Sequence, residues 1–336
     1  MIQRERIRAL LPLLCILLGA GALAIIAAAT GPHKHAISPV LFEIGIFQVR
    51  YYGLVYMLGF ILVYILLRCA VKKGQFAIDI DSLERFVLML VAGVIIGSRL
   101  FEVLIYNPSY YFANPLEIVQ VWKGGLSFHG GLVGVVIACW WFSHPGWLRS
   151  RPKGVPVGRF RLVGRFKKAS AEDGAAEGEH RKPRPSFAEL CDFLALPALL
   201  MLAFGRLANF INGELYGGPS MLPWAVAFGF DGDYRHPVQL YESVSNAISF
   251  GILFFIRSLR PQIGILSGCF LILYGGFRFC MEFFKDYAEY GYETLQLGAF
   301  HVAHILCFLM VACGAYIIFS VFRKRDSKQH TGGVAE

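Results

Sequence analysis

An all-α, polytopic membrane fold is what this sequence predicts, a seven-helix core with one further helix ahead of it. Three observations carry the prediction. Apolar residues make up 56% of the chain and charged residues only 16%, where a soluble domain carries about 25% charge. The apolar residues gather into eight stretches, roughly 9–29, 52–70, 84–106, 126–142, 188–211, 238–256, 263–284 and 298–322, each near the ~20 residues that a spanning helix needs. Basic residues favour alternate connections. Of the 32 Lys and Arg, 23 lie in Arg4–Arg8, Arg68–Lys73, Arg149–Arg184, Arg257–Arg260 and Arg323–Lys328, against Lys34, Arg50, Lys123, Arg235 and Lys285 in the opposite loops. The positive-inside rule then puts both termini in the cytoplasm. The net charge of +9 is a topology signal, and no nucleic-acid partner is expected.

Taken in order, Arg4, Arg6 and Arg8 precede an apolar run ending in Ala27–Ala29. Residues 1–40 read as an uncleaved signal anchor and outer linker, with a cleavable signal sequence as the alternative. Residues 41–322 form the main membrane domain. It is interrupted at 143–187 by a basic, Gly/Pro/Ser-containing insertion without helical or strand periodicity, read as a cytoplasmic loop. Its charge either is simply solvated or attracts anionic headgroups. Residues 323–336 read as a cytoplasmic tail. Gly93 and Gly97 have the small-xxx-small spacing that lets a second helix approach closely. All eight cysteines lie in or beside apolar segments, so no disulfide framework is expected and no chemistry is assigned to them.

Ionisable groups inside spans are costly and usually face a protein interior or an aqueous cavity. Here the expected topology puts several at one depth. Arg99 and Glu102 sit one turn apart near the outer end of 84–106. His129 follows the outer start of 126–142, Arg206 and Asn209 share a face near the outer end of 188–211, and Glu242 stands at the outer start of 238–256. Tyr274, Arg278 and Glu282 recur every four residues and form one stripe. Any one of these has a plain use as interhelical glue. Together they describe a cationic pocket level with the outer leaflet, suited to an anionic phospholipid because guanidinium groups bind phosphate through a bidentate fork. The stretch Gly205–Gly218 passes abruptly from apolar helix to a run with Asn209, Asn212, Glu214 and further glycines, more polarity than a plain helix exit needs.

Gly205–Glu214 (GRLANFINGE) resembles the signature of the prolipoprotein diacylglyceryl transferases. The resemblance extends in order through Tyr51–Leu54, Ser127–Leu132, Arg235–Glu242 and Tyr274–Arg278, covering about residues 41–322. It implies a seven-helix core in a bacterial inner membrane, with phosphatidylglycerol and lipobox-containing preprolipoproteins as partners. A diacylglyceryl group passes to the lipobox cysteine thiol, leaving a thioether and glycerol phosphate, as the first step of lipoprotein maturation. It also implies that Tyr52, His129, Arg206, Asn209, Glu214, Gly217, Tyr274, Arg278 and Glu282 belong to the active site, and that Asp192 matters on the fourth core helix. The chain departs from the family pattern at Arg50, Ala208, Gly218, Lys285 (an arginine is usual) and Val302–His304.

The chemistry so implied is displacement at an sp3 carbon by a substrate thiolate, which needs no enzyme cysteine. His129 is the candidate base, or else a hydrogen-bond partner of the headgroup. Arg206 and Arg278 are the candidate stabilisers of the departing phosphate. Tyr52, Arg99, Asn209, Asn212, Glu214, Gly217, Tyr274 and Glu282 are candidate substrate-binding residues, the glutamates by orienting arginines, with Asp192 and Glu242 as supports. No spacing of metal-ligand type is found, and no cofactor is expected. Two other classes fit the same pocket: a lipid carrier, which would need polar groups continuing to the inner leaflet, and a catalytically silent paralogue.

Overall fold

The computed structural model describes residues 33–35, 37–38, 40–44, 47–76, 78–121, 124–144, 185–228, 233–286, 296–297 and 300–332. The expected helix at 9–29 and nearly all of the 143–187 insertion lie outside these residues. Within them the fold is all-α. Its helices are α1 (Tyr51–Lys72), α2 (Ile80–Phe101), a short α3 (Pro108–Ala113), α4 (Phe128–Ser143), α5 (Phe187–Asn212), α6 (Val238–Ser258), α7 (Ile265–Glu282) and α8 (Val302–Gly332). The seven long ones coincide with the seven core stretches. Helix α8 runs on through much of the expected 323–336 tail.

Among the described residues, five helical stretches are long and apolar enough to cross a membrane: Gly53–Lys72, Ile80–Tyr106, Phe187–Asn212, Ile265–Glu282 and Val302–Lys324. Helix α4 is apolar but shorter. Helix α6 spends its buried positions on Gln239, Glu242, Ser243, Ser245, Asn246 and Ser249, which lowers its apolarity because it faces the interior. Side chains such as Met57, Ile61, Leu88, Ile96, Ile137 and Phe319 point outward, as they would toward lipid. The chain is a multi-pass membrane protein.

Local signals account for the helix ends. Asp79 caps α2, its carboxylate accepting from Ser82 N at 2.6 Å, and Ser127 caps α4 by accepting from Gly130 N at 3.3 Å. Ser186 and Glu189 form a reciprocal capping box on α5, the arrangement that satisfies two orphan amides at once. Between α2 and α4, where a plain outward loop is expected, the chain makes a π turn (Glu102–Tyr106), α3 and a 3-10 turn (Pro115–Val119). Pro108 and Pro115 each start one of the last two, the position where a missing amide hydrogen costs nothing.

Glycines set the closest packing. A Cβ on Gly134 would lie 1.9 Å from Gly93 O, and one on Gly130 would lie 2.2 Å from Gly97 O. The small-residue face of α2 therefore meets a second such face on α4, backbone against backbone. Two apolar cores result, one around Phe86, Leu190 and Phe142 and one around Leu199, Leu253 and Phe270.

Short strands, which hydropathy does not reveal, gather where α5 ends, α6 begins and α7 ends. Strand β1 (His33–Lys34) pairs in parallel with β2 (Val226–Ala227), which pairs antiparallel with β3 (Tyr234–Arg235). Isolated bridges join Gly217 to Lys285 and Pro219 to Arg235. The segments after α5, before α6 and after α7 are thus tied into one layer over the helix ends that carry Arg206, Glu242 and Glu282.

Candidate active site

Glu242, buried near the start of α6, is the centre of an ion cluster. One carboxylate oxygen lies 2.8 Å from Arg206 Nε on α5. The other accepts from Arg278 Nη1 on α7 and lies 3.3 Å from Lys285 Nζ just beyond α7. One turn along α7, Glu282 Oε2 is 2.8 Å from Arg278 Nη2. Among the described residues, three cations thus share two carboxylates, an excess of positive charge that suits an anion. Charges are tolerated this deep only when paired and hydrogen-bonded. Burial and the charge of neighbouring Arg278 push the Lys285 ammonium down to about 8. Arg206, Glu242, Asn246, Tyr274 and Arg278 line a small cavity here.

The signature stretch builds a polar shelf beside the cluster. Glu214 Oε1 accepts from Asn209 Nδ2 at 2.7 Å and Asn212 Nδ2 at 3.1 Å, and Gln239 Nε2 donates to Glu214 O at 2.6 Å. Asn209 Oδ1 in turn accepts from Arg206 Nη1 at 3.4 Å, so Glu214 reaches Arg206 through Asn209. Gly217 closes the shelf. Its amide donates to His236 O at 2.8 Å, and an added Cβ would meet Phe284 O at 2.4 Å and Val238 Cγ2 at 2.6 Å. A side chain there would separate the strand-like segment 217–219 from the one bearing Lys285.

Tyr274 is buried, its ring 4.4 Å from that of Phe128, and its hydroxyl has no hydrogen-bond partner among the described residues. His129, in the first turn of α4, is buried as well. Its Nδ1 lies 3.0 Å from Tyr106 Oη, while its Nε2 has no hydrogen-bond partner among the described residues. The imidazole lies within electrostatic reach of Arg278, Lys285 and Arg206.

Arg99 and Asp192 stand apart from the cluster. The donors of Arg99 go to loop carbonyls: Nε to Ile118 O at 2.9 Å, Nη1 to Gly124 O and Gly125 O at 2.7 and 3.0 Å, and Nη2 to Glu117 O. Nη1 also lies 3.0 Å from Tyr111 Oη. A guanidinium so committed holds the α2–α4 connection together instead of presenting its fork to a ligand. Asp192 caps α7 from a distance, accepting from Gly264 N at 2.7 Å and Ser267 N at 2.8 Å. This is a support role at the far end of α7 from Arg278. The Tyr52 side chain lies outside the described residues.

Two members escaped the sequence reading. Lys285 is noted there only as a loop residue and a departure from a pattern. Yet it stands seven residues after Arg278, where the Tyr274–Arg278–Glu282 stripe would continue if the helix ran on, and that spacing would have found it. Tyr106 has no such signal, because its direction depends on the π turn.

Comparison with known proteins follows the same residues. A family model described as "Prolipoprotein diacylglyceryl transferase" matches residues 39–151 and 178–320. The phosphatidylglycerol–prolipoprotein diacylglyceryl transferase of Geobacter sulfurreducens is 37% identical over 297 residues, 88% of this chain and 98% of that protein. Its namesake in Bordetella parapertussis is 39% identical over 254 residues, 74% and 83% of the two chains. That of Oleidesulfovibrio alaskensis is 35% identical over 296 residues, 88% and 96%. Every segment that builds the ion cluster and the shelf falls inside the residues that the family model matches, and the chain belongs to the prolipoprotein diacylglyceryl transferase family.

Proposed function

We propose that this chain transfers the diacylglyceryl group of phosphatidylglycerol to the lipobox cysteine of prolipoproteins, with the Glu242-bridged cations as its phosphate site. The single observation that carries the reading is the cluster itself, in which three partly buried cations surround one buried carboxylate. The phosphodiester of a lipid headgroup supplies the anion for which this arrangement has excess charge. Guanidinium groups hold it by paired N–H donors, and Asn209, Asn212 and Tyr274 present polar atoms beside it for the glycerol.

The thiolate of the lipobox cysteine attacks the sp3 glycerol carbon that carries the phosphate ester. The C–S bond forms as the C–O bond breaks, and the electron pair leaves on the phosphate oxygen of glycerol phosphate. Arg206 and Arg278 stabilise that growing charge, as fixed donors aimed at a leaving group do. His129 Nε2 takes the thiol proton. An ordinary thiol, with a pKa of about 8.5, is mostly protonated at neutral pH, so the base contributes directly. The site opens toward the outer leaflet of the inner membrane, where the alternation of basic loops puts it.

The test uses purified full-length protein in detergent with phosphatidylglycerol and a lipobox peptide. Thioether peptide and glycerol phosphate are expected in equal amounts, and a wild-type protein that makes neither overturns the reading in favour of a silent binding role. His129→Gln is expected to lose about a hundredfold or more of turnover, the low end of what a general base supplies.

A further inference from the structure

His129 leaves Nε2 without a hydrogen-bond partner among the described residues while Nδ1 is engaged, and the neighbouring π turn accounts for the difference. Helix α2 does not end at Phe101 but widens into a π turn over Glu102–Tyr106, closed by Asn107 N donating to Glu102 O at 2.9 Å. The Asn107 side chain fastens the same turn by donating from Nδ2 to Glu102 Oε1 at 2.7 Å. A π turn inserts one residue into a helix, so the side chains beyond it are rotated by roughly 100° from their α-helical direction. The residue re-aimed is Tyr106, and its hydroxyl arrives 3.0 Å from His129 Nδ1.

The contact is held from several sides. Gly97 and Gly130 bring α2 and α4 into backbone contact, which fixes the register between the helices bearing Tyr106 and His129. Phe101 packs near both rings, 5.8 Å from Tyr106 and 6.2 Å from His129, and Phe128 lies 5.6 Å from the imidazole on another side.

We infer that Tyr106 is a positioning residue for the reaction, its oxygen accepting from His129 Nδ1–H so that the Nε2 lone pair is turned toward the reacting thiol. The polarity follows from charge. Arg206, Arg278 and Lys285 all act on this imidazole, and a lone pair facing cations is favoured over an N–H facing them. In the opposite polarity Tyr106 would donate to Nδ1, the proton would sit on Nε2, and the neutral ring could not accept the thiol proton there. Tyr106 does not touch substrate in this scheme; it acts through the histidine.

This inference rests on the base role given to His129 above, and the experiment separates the two. Turnover of full-length Tyr106→Phe, His129→Gln and the double variant is measured against phosphatidylglycerol concentration and normalised to folded protein. Phenylalanine keeps the ring between Phe101 and His129 and removes only the oxygen. Tyr106→Phe is expected to lower kcat by about tenfold or more, a part of the effect of general-base catalysis, with KM changed less than about twofold, as for an interaction made in the transition state. In the His129→Gln background the same change should cost nothing further, since no base remains to be positioned. A wild-type kcat in Tyr106→Phe, with loss in His129→Gln, overturns the positioning role and leaves the base standing. Multiplied losses in the double variant also overturn it, because a purely structural tyrosine would act independently. Full activity in His129→Gln removes both readings together.

Discussion

Arg99 and Arg278 are both buried arginines on helices of this membrane protein, and the fold treats them in opposite ways. Arg99 donates to the carbonyls of Glu117, Ile118, Gly124 and Gly125, neutral partners belonging to one connection. Arg278 is paired with Glu242 and Glu282, and through Glu242 with Arg206 and Lys285. Backbone carbonyls are fixed and cannot give way without unravelling the loop. A carboxylate shared among three cations is different, because an incoming phosphate offers the same kind of oxygen to the same donors. The comparison teaches that a charged residue at the right depth is a site candidate only when its partners are exchangeable.

The sharpest way to break the comparison is to remove each arginine. Arg206→Ala and Arg278→Ala are each expected to lower kcat by about two orders of magnitude or more, persisting at saturating phosphatidylglycerol. Arg206→Lys should be severely impaired too, since it keeps charge but loses the planar fork. Arg99→Ala should instead lower the yield and melting temperature of the protein, with kcat per folded molecule within about threefold of wild type, because lost loop hydrogen bonds act on stability. A hundredfold fall in kcat for folded Arg99→Ala would erase the distinction.

Gly217→Ala probes the frame around the bridge. With a Cβ due 2.4 Å from Phe284 O, the segment before Lys285 must shift, and overpacking of this kind costs about 1–3 kcal/mol. Activity of the folded protein is expected to fall with it, read as a reduced kcat beside a lowered melting temperature.

Lys285 sharpens the comparison through pH. Its ammonium titrates near 8 in the native protein against an ordinary 10.5, so the native state releases its proton first as pH rises. Between those values the unfolded chain binds more protons, and this residue's contribution to stability therefore increases with pH. The phosphate site loses a charge over the same change. Lys285→Arg keeps that charge, so the ratio of its kcat/KM to that of wild type should rise above about pH 8. A pH-independent ratio would show that Lys285 does not act on the lipid.

The smallest effect is expected at Asp192, the carboxylate counterpart of Arg99. Its oxygens accept from Gly264 N and Ser267 N at the start of α7. Asp192→Ala should cost about 1–2 kcal/mol of stability, as loss of a helix cap does, with kcat of folded protein unchanged in a thermal-shift and turnover comparison.

The spans were legible because hydropathy is a local property of the chain. A stretch such as 188–211 is apolar whatever surrounds it, and α5 forms at Phe187–Asn212 with its capping box written in Ser186 and Glu189. The cluster was legible as a set of residues, since each ionisable group stands out against apolar sequence. What each one holds was not. Glu242 joins Arg206 and Arg278 only because α5, α6 and α7 pack together, and no spacing along the chain encodes that meeting. Arg99 is drawn to carbonyls some 20 residues away, as its 2.9 Å bond to Ile118 O shows, because the loop folds back over α2. Tyr106 reaches His129 only because a π turn re-aims its side chain and the α2–α4 contact brings the two helices together. Composition and local pattern determined which charges enter the membrane; the packing of helices determined which are fastened to backbone and which stay exchangeable for a phosphate, because pairing depends on distances that exist only after folding.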